Sequence, residues 1–166
     1  MKSLTDADIR ELIHKGWMTH DGMWFFHTLK EFGIEAANRL NKAANRDLAR
    51  IEAKRIQQAL GLGDIDSFRS LQGFFQGAMA AVKAGFMDFG VTFPEPGLAR
   101  FKMGRCFALE GMRRLGVERQ YECGVFNRVE GWFEALDLPY EVTPKVLHCM
   151  ALEEGRCWRE YRFALT

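Results

Sequence analysis

The sequence predicts an α+β fold, in which an N-terminal helical half packs against a four-stranded antiparallel sheet made of two hairpins with two helices between them. Apolar residues recur with a helical period up to about residue 84, and the period then changes to two. Hydrophobic residues make up 48% of the chain, enough for a substantial core. We therefore expect one domain over residues 1–166, with a helical half at 1–84 and a sheet half at 85–166.

The helical half is expected to contain about three helices, the first of them within residues 1–33. Thr5 and the acidic residues after it are typical of a helix start. Asp21-Gly22 could divide this region into two helices. Gly33 indicates a helix end, and the clearest helical pattern follows at 35–60. A connection this short predicts that the helices on either side of Gly33 pack antiparallel as a helical hairpin.

A third helix and a first β-hairpin are expected in the middle of the chain. The helix covers roughly 65–84, and Asp64 is its candidate cap. Alternating residues in 86–93 and 99–103, joined by the Pro- and Gly-containing turn 94–97, predict the hairpin.

The last 61 residues are predicted to form two helices and a second hairpin. The helices fall at about 106–115 and 121–136. The hairpin arms fall at 140–152 and 156–165, and the turn is at 153–155.

The charge balance argues against a nucleic-acid or membrane partner. The net charge is +1, from 23 basic and 22 acidic residues. No apolar run approaches the ~20 residues of a membrane span, and no signal peptide is recognised. We expect a soluble cytoplasmic protein, whose four cysteines serve as thiols or metal ligands rather than disulfides.

The four cysteines, Cys106, Cys123, Cys149 and Cys157, all lie in the sheet half. Cys106 is placed where a strand leads into a helix, and Cys123 at the start of the next helix. Cys149 and Cys157 are expected to be cross-strand neighbours near the turn of the second hairpin. Converging thiolates are typical zinc ligands. The alternative, which the spacing alone favours, is four buried thiols that pack as small hydrophobic side chains.

The C-terminal part resembles the 4-vinyl-reductase-type domain, a small-molecule-binding fold. The residues that carry the resemblance are Cys123-Gly124, Gly131-Trp132-Phe133, Cys149, Gly155-Arg156-Cys157 and Phe163. The resemblance implies zinc ligands at Cys123, Cys149 and Cys157. Val146 stands where sensor domains of that family have a glutamate, so Cys106, His148 or a water would complete the site.

The segment from Cys106 to Phe163 also resembles the L-2-amino-thiazoline-4-carboxylate hydrolase-like family, through its cysteines and a late Gly-x-Cys pattern at Gly155. The whole chain resembles an uncharacterised prokaryotic family of similar length. The hydrolase resemblance implies attack on a small cyclic C–N substrate, with Cys106 or Cys123 as nucleophile or a metal-bound water as attacker.

His20 and Asp21 are further catalytic candidates, as a metal pair or as a base with its orienting carboxylate. The favoured alternative is an aromatic packing face with Asp21 as a helix cap. Asn38, Asn41 and Asn45 recur on one helix face, although asparagine is a poor helix former.

We expect these asparagines and Trp24 to contact a ligand, with His20 and Asp21 completing the polar wall of its pocket. The alternative for the asparagine face is plain solvation. Glu52 and Arg55 are expected to form an ordinary i,i+3 ion pair.

Two functions follow from these patterns. The first is a zinc-containing, small-molecule-binding protein whose Phe- and Met-rich sheet lines an apolar or aromatic pocket against the helices. The alternative is the hydrolase. A homodimer is also expected, because the first helical region has more aromatic residues than its own core needs, namely Trp17, Trp24, Phe25 and Phe26.

Overall fold

The computed structural model describes residues 3–146 and 148–165, and residues 1, 2, 147 and 166 lie outside that description. Its elements, in chain order, are α1 (Asp6–Ala59), α2 (Phe68–Val82), β1 (Phe89–Glu95), β2 (Leu98–Met103), α3 (Phe107–Leu115), α4 (Val125–Ala135), β3 (Tyr140–Thr143), α5 (Met150–Glu154) and β4 (Cys157–Phe163). The predicted α+β class is confirmed. In the described part of the chain, no helix is both long and apolar enough to cross a membrane.

Helix α1 folds back on itself at Gly33, whose φ of 81° and ψ of 175° are accessible to glycine and costly for other residues. In a straight helix Trp17 and Glu52 would lie about 50 Å apart. Both instead contact the guanidinium of Arg128. Residues 6–32 (the first arm) and 34–59 (the second arm) therefore lie side by side, which confirms the predicted helical hairpin.

The chain shows no helix break at Asp21-Gly22, where one was considered possible. Helix α1 begins as predicted, because the Thr5 hydroxyl accepts from the Asp8 backbone N–H at 3.2 Å and the Asp8 carboxylate accepts from the Thr5 N–H at 2.9 Å. Helix α2 begins later than predicted. Its cap is Ser67, whose hydroxyl accepts from the Ser70 N–H, and not Asp64.

The sheet is antiparallel, in the order β1-β2-β4-β3. The predicted first hairpin, β1–β2, is confirmed. The predicted second hairpin is wrong in its connection, although β3 and β4 do pair, with Tyr140 opposite Phe163. Strand β3 stops before Pro144, which has no backbone N–H for a sheet hydrogen bond. Helix α5 then replaces the expected strand arm and tight turn.

The core lies between the inner face of the sheet and helices α2 and α4. Phe75, Phe101, Phe133 and Tyr161 are buried there and meet mostly edge to face, with ring centroids 4.9–5.8 Å apart. Packed rings thus fill the sheet–helix interface that the sequence suggested as the wall of an apolar pocket.

Helix α4 packs directly on the second arm of α1. A Cβ on Gly131 would come within 2.8 Å of both the Ala49 Cβ and the Arg46 carbonyl oxygen, so only glycine allows this approach. One turn away, the Glu52 carboxylate accepts from Arg128 Nε and from Trp132 Nε1, each at 2.9 Å. This contact sets the register between the two helices.

The predicted Glu52–Arg55 ion pair is wrong, because Glu52 turns towards α4 instead. Arg55 consequently has no carboxylate within 4.0 Å in the described part of the chain.

Candidate functional site

All four cysteines line one cavity of about 20 Å³, roughly the room that a single water molecule needs. Cys106 is the N-cap of α3, Cys149 is the N-cap of α5, Cys123 directly precedes the N-cap of α4, and Cys157 is the first residue of β4. The predicted cross-strand pairing of Cys149 and Cys157 is wrong, because Cys149 begins a helix. The two residues nevertheless meet at the cavity.

Backbone N–H groups at two helix starts act on the thiols and lower their pKa. Those of Leu109 and Ala108 act on Cys106, and those of Phe126 and Val125 act on Cys123. Such donors, together with the helix dipoles, stabilise a thiolate more than a thiol.

Burial opposes that effect and favours the neutral thiol at Cys106, Cys123 and Cys157. It raises the pKa of Cys106 and Cys123 above the ordinary thiol value. The pKa of Cys157 rises to about 12, first through burial and then through the neighbouring thiols of Cys123 and Cys106. Cys106, Cys123 and Cys149 each raise the pKa of a neighbouring cysteine, so a positive charge at the cavity would favour the thiolate forms.

Arg159 supplies part of that charge. Its side chain lines the cavity, is almost fully buried and lies with its guanidinium carbon 4.4 Å from the centroid of the Phe126 ring. Its Nη1 donates to Glu130 at 3.0 Å, whereas its buried Nε has no hydrogen-bond partner among residues 3–146 and 148–165. The Arg159 charge lowers the pKa of Cys123 and of Cys157.

Asn38 holds the segment that carries Cys123. Its Nδ2 donates to the Gln120 carbonyl at 2.7 Å, and its Oδ1 accepts from the Glu122 N–H at 3.1 Å. The side chain thus satisfies two backbone groups of the loop before α4, and the buried position of an asparagine is explained.

Asn41 and Asn45 contact the same loop. A Cβ on Gly124 would lie 2.5 Å from Asn41 Nδ2 and 3.1 Å from Asn45 Nδ2. Burial raises the pKa of the Tyr121 hydroxyl, and the Asn41 side chain lowers it by a smaller amount. None of the three asparagines lines the cysteine cavity, and their role as ligand contacts stays a prediction.

In the described part of the chain no hydrogen bond joins His20 or Asp21 to the three asparagines, and the polar wall that they were expected to form stays a prediction. His20 is exposed and accepts a 3.1 Å hydrogen bond from Nε1 of Trp24, which is 65% exposed on the same arm. The asparagines face the loop before α4 instead. Asp21 lies near Arg128, whose charge lowers the Asp21 pKa, but the larger effect of desolvation raises it.

A second cavity, of about 440 Å³, lies between the two arms of α1, α2 and α4. Its lining includes Trp17, Leu48, Arg55, Ile56, Val82 and Arg128. No sequence pattern predicts this cavity, because its walls come from distant parts of the chain that only the fold brings together.

Among residues 3–146 and 148–165, no three His, Cys, Asp or Glu side chains already stand as a metal ligand set. The four cysteines share a cavity, and their predicted convergence around zinc stays a prediction. His148 and Val146 line the same cavity.

No curated protein matches the sequence. A family model matches residues 3–163, and its description is a family of unknown function, DUF6125. This finding gives no support to the resemblances to the 4-vinyl-reductase-type domain and the hydrolase-like family, whereas the expected uncharacterised family is confirmed. Because the match covers nearly the whole chain, this protein belongs to the DUF6125 family.

Proposed function

We propose that this chain is a zinc-binding protein that holds one Zn²⁺ with Cys106, Cys123, Cys149 and Cys157. The observation that carries the proposal is that cysteines from four separate parts of the chain line one cavity of about 20 Å³. Four cysteines are a common donor set for structural zinc, which is bound without an open coordination position. The choice of zinc also follows the resemblance of Cys123, Cys149 and Cys157 to the ligands of 4-vinyl-reductase-type domains, a resemblance that the family match itself does not support.

The surroundings of the thiols fit the charge of such a site. Four thiolates with one Zn²⁺ carry a net negative charge, and Arg159 lines the cavity with an Nε that has no hydrogen-bond partner among the described residues. Burial raises the pKa of Cys106 and Cys123, but nearby backbone N–H groups lower it and so favour the thiolate that a metal binds. The bound ion would join the starts of α3, α5 and β4 to the loop before α4. We place the protein in the cytoplasm, where its thiols stay reduced.

Metal analysis and cobalt titration test the proposal. We expect about one zinc per chain in protein purified without chelator. We expect the zinc-free protein to take up one equivalent of Co²⁺, with the sulfur-to-cobalt charge-transfer band and the visible bands of a tetrahedral thiolate site. Cys123→Ser should weaken both signals. A protein that purifies without zinc and shows no cobalt–thiolate absorption would contradict the proposal.

No specific observation favours the alternative function, a hydrolase. The cysteine cavity is too small for a cyclic substrate, and burial raises the pKa of both candidate nucleophiles, Cys106 and Cys123, which lowers the thiolate fraction.

We further propose a homodimer formed through the first arm. Phe25, one of the aromatic residues behind the original expectation, is buried against Tyr121 and cannot contribute. The arm nevertheless exposes large apolar side chains at several positions: Ile9, Leu12, Ile13, Met23, Trp24 and Phe32. Exposed apolar side chains in such number are typical of an association surface, and closed two-fold dimers are the commonest oligomer.

Light scattering at micromolar concentration is expected to report about twice the chain mass of 19.1 kDa. Ile13→Glu should shift the protein towards the monomer, because it places a charge on that surface. Lys54→Glu, which also changes an exposed residue but on the second arm, should leave the mass unchanged. A native protein that is monomeric under these conditions would end the dimer proposal.

A further inference from the structure

We infer that the cavity between the two arms of α1, α2 and α4 binds a small molecule with a flat apolar body and one carboxylate group. The cavity shares no lining residue with the cysteine cavity. The inference is therefore independent of the zinc proposal, and its test does not require the metal.

The size and the walls of the cavity suit such a ligand. Its volume of about 440 Å³ falls in the usual range for small-molecule sites. Leu48, Ile56 and Val82 give it apolar walls, and Ile56 and Val82 are themselves firmly packed in the protein, at 8% and 7% exposure.

A flat and rigid wall comes from Trp17. The Arg128 guanidinium lies 4.8 Å from the Trp17 ring centroid, and the Glu52 carboxylate holds Arg128 through hydrogen bonds to two of its nitrogens. The indole is therefore positioned before a ligand arrives, which lowers the entropy cost of binding a planar molecule.

The first arm is also held against the end of α2, which forms another wall of the cavity. Arg10 Nη1 donates to the Ala80 carbonyl at 3.2 Å, and the His14 ring lies 3.3 Å from the Ala81 carbonyl through Nε2. These carbonyls belong to the last turn of α2, where no helical N–H reaches them. The His14 Nδ1 lies 2.8 Å from the Arg10 carbonyl oxygen, and a neutral imidazole, which has one N–H, donates to one of these two carbonyls.

The preference for a negative charge comes from Arg55, whose side chain is exposed beside the cavity. Of the two arginines that line the cavity, Arg128 is neutralised by Glu52, whereas Arg55 has no carboxylate partner in the described part of the chain. A guanidinium presents paired N–H donors that match the two oxygens of a carboxylate. One free arginine beside apolar walls and a fixed indole therefore favours a monoanionic aromatic acid.

A naphthalene carboxylate and its neutral carboxamide are suitable probes, because they differ mainly in charge. We expect calorimetry to show saturable 1:1 binding of the carboxylate to the full chain, and binding of the carboxamide about tenfold weaker. Arg55→Gln should weaken carboxylate binding by about tenfold and leave carboxamide binding nearly unchanged. Lys54→Gln is the matched control: it removes the same charge from the neighbouring position outside the cavity and should change neither affinity.

Three outcomes would overturn the inference. The first is the absence of carboxylate binding at millimolar concentration. The second is an equal loss of affinity in Arg55→Gln and Lys54→Gln, which would indicate a general charge effect. The third is a change from dimer to monomer on Arg55→Gln in light scattering, which would show that a second copy of the chain covers the cavity. Trp17→Leu provides an independent check and should weaken both probes, since it removes the flat wall that they share.

Discussion

Replacement of Cys157 by serine is expected to abolish stoichiometric zinc binding and to lower the free energy of unfolding by several kcal/mol. Structural zinc contributes on the order of 10 kcal/mol in zinc-finger peptides, because metal binding and folding are coupled. Cys157 begins β4, which pairs with β2 on one side and β3 on the other, so the lost ligand would loosen the end of a central strand. Urea denaturation with a slight excess of zinc measures the change.

The same measurement after chelation separates a ligand from a packing residue. Without zinc, the native protein should lose most of its advantage over Cys157→Ser. The remaining difference should be that of a half-buried hydroxyl in place of a thiol. A variant that is destabilised equally with and without zinc would show that Cys157 acts as a small hydrophobic side chain, the alternative that the spacing alone favoured.

The sequence predicts those parts of the fold that local rules determine. The helical period, the Thr5 cap and the glycine at position 33 lead to the folded-back α1, and the alternation around a Gly-containing turn leads to the β1–β2 hairpin. Helix α5 is different, because its five residues are too few to show a helical period. Because α5 was not predicted, β3 and β4 were expected to be joined by a tight turn. Cys149 and Cys157 were expected to be close as cross-strand neighbours, whereas Cys149 precedes a helix.

The candidate sites divide in the same way. The four cysteines can be recognised from the sequence as a candidate site, because all of them lie in the last part of the chain. This recognition does not depend on how strands β3 and β4 are connected. The second cavity depends on tertiary contacts that no local pattern reveals. The i,i+3 rule pairs Glu52 with Arg55, yet that rule is worth only a few tenths of a kcal/mol. The Glu52 carboxylate instead accepts hydrogen bonds from two nitrogens of Arg128 and from the Trp132 indole, and these outweigh a pairing with Arg55.

That competition predicts a large effect for Glu52→Ala, about 3 kcal/mol or more of lost stability. The Glu52 and Arg128 side chains are only 18% and 19% exposed, so their partners cannot turn freely to water. Alanine would leave the guanidinium of Arg128 largely buried without its counter-charge and the Nε1 of Trp132 without an acceptor. Each buried unpaired group adds its own cost, which exceeds the net gain of an ordinary hydrogen bond.

Asp47→Ala is the matched control on the same arm of α1. It removes a carboxylate that also bonds an arginine, with Asp47 and Arg50 3.1 Å apart, but the Asp47 side chain is 71% exposed. Solvent screens that pair, and its loss should cost less than about 1 kcal/mol. Urea denaturation of both variants, with unchanged slopes, measures the contrast. Equal losses in the two variants would mean that the Glu52 carboxylate does not join α1 to α4, and the fixed position assigned to Trp17 would lose its support as well.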